Sequence, residues 1–410
     1  MVPPPTDEER RLARLVRAHD RWRGRSTFNL LASENAVSPT ARRYLASDLA
    51  GRYTLPLTVE LDGETIDNSY AGTRYTDRIE QLADAAAARL FRARFATTRP
   101  LSGHIAALSV LVPLLPRGSR LLAIPPEDGG YDGYAAGFVP SMLGYEVTPL
   151  RATGPGHRLE ADAAIRAIEA SRPAAVLLGQ SFFLFPYPLR EIADAAHRAG
   201  ALVLYDASHV LGLVAGRQFQ DPLVDGADVV FGSTHKSFPG PQGGIVYTDR
   251  EDLFRTIAPS LVWRTFDNAH WNRVAGVAQT LLELERCGAD YAHTVLANAR
   301  ALAGALVAEG LPLVAADAGY TASHQIHLDR ARLRAEHGVG AGTLARRLER
   351  RRLVIDLVGR IGVAEATRLG LTPDDMPRLA HLLAEAGLRQ RNVAAEVLAW
   401  RRSFLGLRFA

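Results

Sequence analysis

The chain has 410 residues, 47% of them hydrophobic and 22% charged; at roughly 100 to 200 residues per domain this excludes a small stapled module and intrinsic disorder. The formal charge of +4, from 48 basic and 44 acidic side chains, is scattered and implies no nucleic-acid partner. No run approaches the ~18 apolar residues of a membrane span, the opening segment lacks the apolar stretch of a signal peptide, and a single cysteine, Cys287, allows no internal disulfide, so a cytoplasmic protein without membrane contact is expected.

In chain order, 8–23 reads as a polar helix, an arm suited to packing on another subunit. From about 85 to 247, short apolar runs alternate with alanine-rich segments of helical period, the pattern of α/β units on a mainly parallel sheet. Ser102-Gly103-His104 precedes a helical run at 105–115. Small residues at a helix N-terminus present backbone N–H groups and a dipole to a phosphate, although the same step also serves as a plain helix start. Strand-like runs at 174–178, 201–205 and 227–231 end at Gly179-Gln180-Ser181, at Asp206 and at Gly232-Ser233-Thr234-His235-Lys236. Between the first two, 189–199 has apolar residues on one face and charges on the other, as a crossover helix does. Parallel strands point their carboxyl ends to one edge, so Ser181, Asp206 and Lys236 are expected to converge on one crevice.

Lys236 is the only lysine; the other 47 basic residues are arginine. Arginine replaces lysine at most surface and ion-pair positions, but a guanidinium is a poor nucleophile, whereas a lysine amine can be deprotonated and attack a carbonyl. Asp206 lies 30 residues upstream, one β-α-β unit away. An amine that forms a Schiff base and a carboxylate that keeps a pyridine nitrogen protonated are what pyridoxal phosphate requires. Asp206 alone would also suit a helix cap. His209 is placed to lie against the ring, and His235 precedes the lysine.

Beyond 249, helical stretches at 274–285 and 289–309 give way to strand-like runs at 324–328 and 353–357 among helices, as in a smaller α+β domain. Gly338-Val339-Gly340-Ala341-Gly342 follows a charged helical segment, and the third glycine of a dinucleotide loop would fall on Thr343, which reads better as a helix cap. His324-Gln325-Ile326-His327 lacks the spacing of a metal site, and none is expected. Residues 346–352 read as a solvated helix face. The expected organisation is an arm at 1–30, a large cofactor-binding α/β domain at 31–255, and a linking helix with a small α+β domain at 256–410.

Asn29-Leu30-Leu31-Ala32-Ser33-Glu34-Asn35, Ser102-Gly103, Gly129-Gly130, Asp206-Ala207-Ser208-His209 with 212–215, Ser233-Thr234-His235-Lys236 with 240–244, and Gly359-Arg360-Ile361-Gly362 with Thr367-Arg368 resemble, in order and spacing along nearly the whole chain, the serine (glycine) hydroxymethyltransferases. The resemblance implies a fold-type I pyridoxal phosphate enzyme, built like the aspartate aminotransferases, and a homodimer with shared active sites. It implies Lys236 as the Schiff-base lysine, Asp206 as the pyridinium partner, His209 at the ring hydroxyl, and Ser102, Gly103 and His104 at the phosphate. Ser181 and Ser233 would line the cofactor, Arg360 and Ser33 would hold the substrate carboxylate, and Tyr53 would reach the neighbouring subunit's phosphate.

Several positions depart from the family. Leu55 stands where a glutamate serves folate and the hydroxymethyl group, the two adjacent tyrosines become Ser69-Tyr70, and the segment 54–68 is longer than usual, with Glu60 and Glu64 as possible substitutes. Tyr131 replaces the histidine that stacks on the cofactor ring, which either π face can do. Arg264-Thr265-Phe266-Asp267-Asn268-Ala269-His270 occupies the place of a glycine-rich phosphate loop. The expected activity is making or breaking the Cα–Cβ bond of a β-hydroxy-α-amino acid through a glycine quinonoid, of the folate-independent threonine aldolase or transaldolase type, with an aldehyde as second substrate. Tyr70 and His235 are the candidate bases. The alternatives are a folate-dependent hydroxymethyltransferase, an aminotransferase or decarboxylase, and a non-catalytic paralogue.

Overall fold

The structure is a computed structural model that describes residues 4–56 and 58–410. The first three residues of the expected arm and Leu57 of the 54–68 segment lie outside the described residues. The central element is a seven-stranded sheet formed by β1 (Phe95–Thr97), β2 (Arg120–Ala123), β3 (Glu146–Pro149), β4 (Ala175–Leu178), β5 (Leu202–Asp206), β6 (Val229–Ser233) and β7 (Gly244–Thr248), in the spatial order β1-β7-β6-β5-β4-β2-β3. Only β7 runs against its neighbours. The alternation of runs in the sequence is thus a mostly parallel α/β sheet.

Successive side chains on a strand point to opposite faces, so a sheet buried on both sides divides its residues between two cores. Leu122, Val176, Leu178, Val203, Tyr205, Val230, Ile245 and Tyr247 join one cluster. Their neighbours Leu121, Ala123, Ala175, Leu177, Leu204, Val229, Phe231 and Val246 join another. The helix Leu189–Arg198, buried through Leu189, Ile192, Ala193, Ala195 and Ala196, is the crossover between β4 and β5. Pairing of Leu178 with Tyr205, and of Asp206 with Phe231, brings the ends of β4, β5 and β6 side by side.

The arm is the helix Asp7–Arg25, started by a reciprocal Thr6–Glu9 cap and exposed over most of its length, Leu12, Leu15 and Val16 included, with Trp22 and Arg23 partly buried at its end. The two helical stretches expected after 249 are one helix of 38 residues, Trp271–Ala308. Gly288 does not end it. A Cβ on Gly216 would stand 2.3 Å from the Gly288 carbonyl oxygen and 2.4 Å from Ala292 Cβ, so the helix passes directly over the 211–216 segment there. Thr343 is exposed within the helix Ala341–Glu349, whose N-cap is Gly340, which corrects its reading as a cap.

Two short pairings serve the site. Phe28–Asn29 runs parallel to Leu353–Val354, and Gln325–His327 runs antiparallel to Arg360–Gly362. No helix among the described residues is long and apolar enough to cross a membrane.

Candidate active site

The carboxyl ends of β4, β5 and β6 carry Ser181, Asp206 and Lys236 to one sheet edge. Asp206 is buried, and both its oxygens are held: Tyr134 donates its hydroxyl to Oδ2 at 2.6 Å, and the Ser208 N–H donates to Oδ1 at 2.8 Å. The helix that follows starts only at Leu211, with Val210 at its cap, so the carboxylate does not serve as the alternative helix cap. Burial drives the Tyr134 phenol far above its ordinary range, and the Asp206 charge adds to this, so the hydroxyl keeps its proton. Burial also lowers the Lys236 amine to about 8, with Asp206 pulling the other way and Arg360 adding to the depression. His235 falls to about 4 through burial and the charge of Lys236, and so is neutral at physiological pH.

Ser102 caps the helix Gly103–Leu114: its Oγ accepts the Ile105 N–H at 3.1 Å and its carbonyl accepts the Ala106 N–H at 2.8 Å. The N–H groups of Gly103 and His104 meet no protein acceptor among the described residues. A Cβ on Gly103 would stand 2.8 Å from Ser233 Cβ and 3.1 Å from Ser208 Oγ, so only glycine lets this helix start close onto the strand leading to Lys236. His104 Nδ1 lies 3.2 Å from the Tyr131 hydroxyl. The Tyr131 ring meets that of Tyr134 edge-on with centroids 5.1 Å apart, and its phenol is raised by burial and then by Asp206.

On the other side, Arg360 donates through Nε to Asp356 Oδ2 at 2.6 Å and through Nη1 to the Ser181 carbonyl at 2.7 Å, with its guanidinium 4.8 Å over the Phe182 ring. The 30–33 segment lies against the same strand: the Gly362 N–H donates to the Leu30 carbonyl at 2.8 Å, and a Cβ on Gly362 would be 2.5 Å from Ala32 Cα. Ser33 is therefore beside the Arg360 strand. His324 Nε2 is 3.0 Å from the Ala32 carbonyl, and Gln325 Nε2 is 2.8 Å from His209 Nδ1. Thus His324-Gln325-Ile326-His327, weighed in the sequence only as a metal motif, belongs to this site. Among the described residues no cluster of three or more His, Cys, Asp or Glu side chains is placed to hold a metal.

Tyr53 and Tyr70 stand apart from this cluster. Their ring centroids are 4.9 Å from each other, Tyr53 donates its hydroxyl to Asp267, and Tyr70 is half exposed. No hydrogen bond or ring contact joins either to Lys236, Asp206 or His209 among the described residues. Leu55 is buried, while Glu60 and Glu64 sit on the exposed hairpin of Val59–Leu61 and Glu64–Ile66. Sequence reasoning missed Tyr134, Phe182 and Gln325. The only signal for Tyr134 was its place in the glycine-rich run 129–134.

These residues fit pyridoxal phosphate. The structure provides an amine of lowered basicity, a buried carboxylate, an amide cradle closed by Gly103, and two buried polar atoms without partners, Ser233 Oγ and His235 Nδ1, on the segment that carries the lysine.

The chain is similar along its length to known proteins. The family model of serine hydroxymethyltransferase matches residues 6–345. The serine hydroxymethyltransferase of Pyrobaculum neutrophilum is 36% identical, covering 96% of this chain and 93% of its own; that of Sulfolobus acidocaldarius is 33% identical, covering 98% and 94%. In fold, the chain is similar to the crystal structure of L-threonine transaldolase from Pseudomonas fluorescens in its internal aldimine state, with a TM-score of 0.86, 23% identity, and coverage of 98% and 93%. From the paired strand ends to the full-length likeness, the chain is a pyridoxal phosphate-dependent, fold-type I enzyme and belongs to the serine hydroxymethyltransferase family.

Proposed function

We propose that this enzyme makes and breaks the Cα–Cβ bond of a β-hydroxy-α-amino acid without folate, releasing or accepting an aldehyde. The observation that carries this reading is on the acceptor side: buried Leu55 stands two positions after Tyr53, and Glu60 and Glu64 point out on an exposed hairpin, where Glu60 Oε1 accepts the Thr65 hydroxyl at 2.7 Å. Within this chain neither Glu60 nor Glu64 is hydrogen-bonded to the Lys236 cluster among the described residues. The fold neighbour, an L-threonine transaldolase, supports the same class of reaction.

Lys236 would hold pyridoxal phosphate, Asp206 its ring nitrogen and His209 its ring hydroxyl. Ser102, Gly103, His104 and Ser233 would cup the phosphate, with Tyr131 on the ring face and Ser181 at the rim. When bound, the cofactor supplies an electron sink for the bonding pair released at Cα. Arg360 and Ser33 bind the substrate carboxylate; the guanidinium, fixed by Asp356 and the Ser181 carbonyl, orients the Cα–Cβ bond. His235, whose ring is neutral, is the first candidate to accept the β-hydroxyl proton as the bond breaks and the aldehyde leaves. Tyr70 is the second candidate for this proton. We further propose a cytoplasmic homodimer in which Tyr53 lies at the neighbouring subunit's site with its hydroxyl kept by Asp267, with an arm at 1–30 and domains at 31–255 and 256–410.

Incubation with threonine and serine, with and without tetrahydrofolate, tests the proposal. Aldehyde release from threonine without folate, with little change in serine cleavage on adding it, is the expected result. A large, saturable acceleration of serine cleavage by tetrahydrofolate would restore the plain hydroxymethyltransferase reading.

A further inference from the structure

His209 is buried, and an imidazole facing a cofactor can present either a proton or a lone pair. Which one it presents depends on what its other nitrogen meets. His209 Nδ1 is 2.8 Å from Gln325 Nε2, and the orientation of that amide is set by the main chain. The Phe183 N–H, which can only donate, points at Gln325 Oε1 at 3.3 Å; the Ser181 carbonyl, which can only accept, receives Gln325 Nε2 at 3.3 Å. Turning the amide over would set donor against donor and acceptor against acceptor at both places. Gln325 therefore donates to His209 Nδ1, which must be bare, and the His209 proton sits on Nε2. The same logic makes His327 a donor through Nε2 to Gln325 Oε1, at 2.8 Å.

We infer that Gln325 is a positioning residue that fixes His209 as an Nε2–H donor toward the cofactor and ties that ring to the substrate-carboxylate side of the site. The tie is the Ser181 carbonyl, which accepts from both Gln325 Nε2 and Arg360 Nη1. The charges around His209 support a neutral ring. Burial first, then the charges of Lys236 on the segment after β6 and of Arg360 on the strand Arg360–Gly362, hold its basicity far below the ordinary range, and the His324 ring stacks on it at 5.9 Å. The inference rests on His209 facing pyridoxal phosphate and not on the reaction proposed above.

The test is nitrogen-15 NMR of the holoenzyme labelled in its histidine rings, with His209→Asn identifying the signal. A bare Nδ1 and a protonated Nε2 are expected in the native protein; a protonated Nδ1 with a bare Nε2 overturns the inference, whatever the variants do. In Gln325→Glu a carboxylate oxygen faces Nδ1 in place of the amide donor, so an ionised side chain there should draw a proton onto Nδ1. Gln325→Leu removes the hydrogen-bond partner, and mixed tautomers with roughly fivefold faster pyridoxal phosphate release are expected for the loss of one such bond. A Leu variant with a single Nε2–H tautomer and native release assigns Gln325 no positioning role. No amino-acid substrate is needed, so failure here is distinguishable from failure of the proposed reaction.

Discussion

The cofactor side and the acceptor side of this enzyme are built differently. Around Lys236 the functional groups sit at the ends of three adjacent strands, and Asp206, His209 and Arg360 each have fixed protein partners. Around Tyr53 and Tyr70 the groups sit on loops beside an exposed hairpin, tied locally by Asn68 to Thr54, Leu55, Tyr70 and Thr73 and by the Tyr53–Asp267 hydrogen bond, with no strand end among them. Rigid elements can hold a geometry for one chemistry, whereas loops can be exchanged without disturbing it. A family can therefore keep its cofactor machinery while its second substrate changes.

The largest expected effect breaks the cofactor side. Lys236→Arg keeps the charge and removes the nucleophilic amine, so the cofactor absorption band and turnover should both disappear while circular dichroism stays native. Borohydride should attach the cofactor to Lys236 in the unaltered protein. Normal turnover by the Arg variant would sink the central assignment. Next in size is Arg360→Ala. Charge-assisted hydrogen bonds contribute about 1.5–3 kcal/mol, so the amino-acid concentration for half-saturation should rise about ten- to hundredfold with pyridoxal phosphate still bound. Unchanged amino-acid affinity would point to a different carboxylate site.

How much of this was legible in the sequence follows the same division. The ends of β4, β5 and β6 could be read because each is a short apolar run stopped by a polar residue, and the parallel arrangement then dictates that they meet. The lone lysine singled out the chemistry. Gln325 could not be found this way: it lies 116 residues from His209, and its importance comes from the main-chain groups of Phe183 and Ser181, which no side-chain pattern reveals. Tyr134 was hidden similarly, 72 residues from Asp206. The 38-residue helix, expected as two stretches, runs unbroken through Gly288, and it is Gly216 packed against it that has no room for a side chain.

A smaller and graded effect sharpens the picture of Lys236 itself. The amine attacks only when neutral, and burial lowers it to about 8. The neutral fraction then rises with pH up to about 8 and levels off above, so the rate at which cofactor-free enzyme captures pyridoxal phosphate should climb roughly tenfold per pH unit below that point. For an ordinary lysine the climb would continue past pH 10. Stopped-flow capture rates between pH 6 and 10 separate the two, and a rise with no bend below pH 10 would mean that the site does not desolvate the amine.

The smallest expected effect lies on the acceptor side and tests whether the two sides are as separate as they look. The Tyr53 hydroxyl donates to Asp267, whose hydrogen bond, with some burial, lifts the phenol to about 12 and keeps it protonated throughout the working range. A hydroxyl already committed to a carboxylate has no second proton for a phosphate, and a carboxylate beside a phosphate repels it. Tyr53→Phe should therefore change pyridoxal phosphate affinity by less than about threefold and cost less than about 1 kcal/mol of stability, as expected for an exposed pair. Equilibrium dialysis and thermal unfolding measure both. A loss of cofactor affinity of tenfold or more would show that Tyr53 exchanges Asp267 for the neighbouring subunit's phosphate on assembly, and that the loop region belongs to the cofactor side after all.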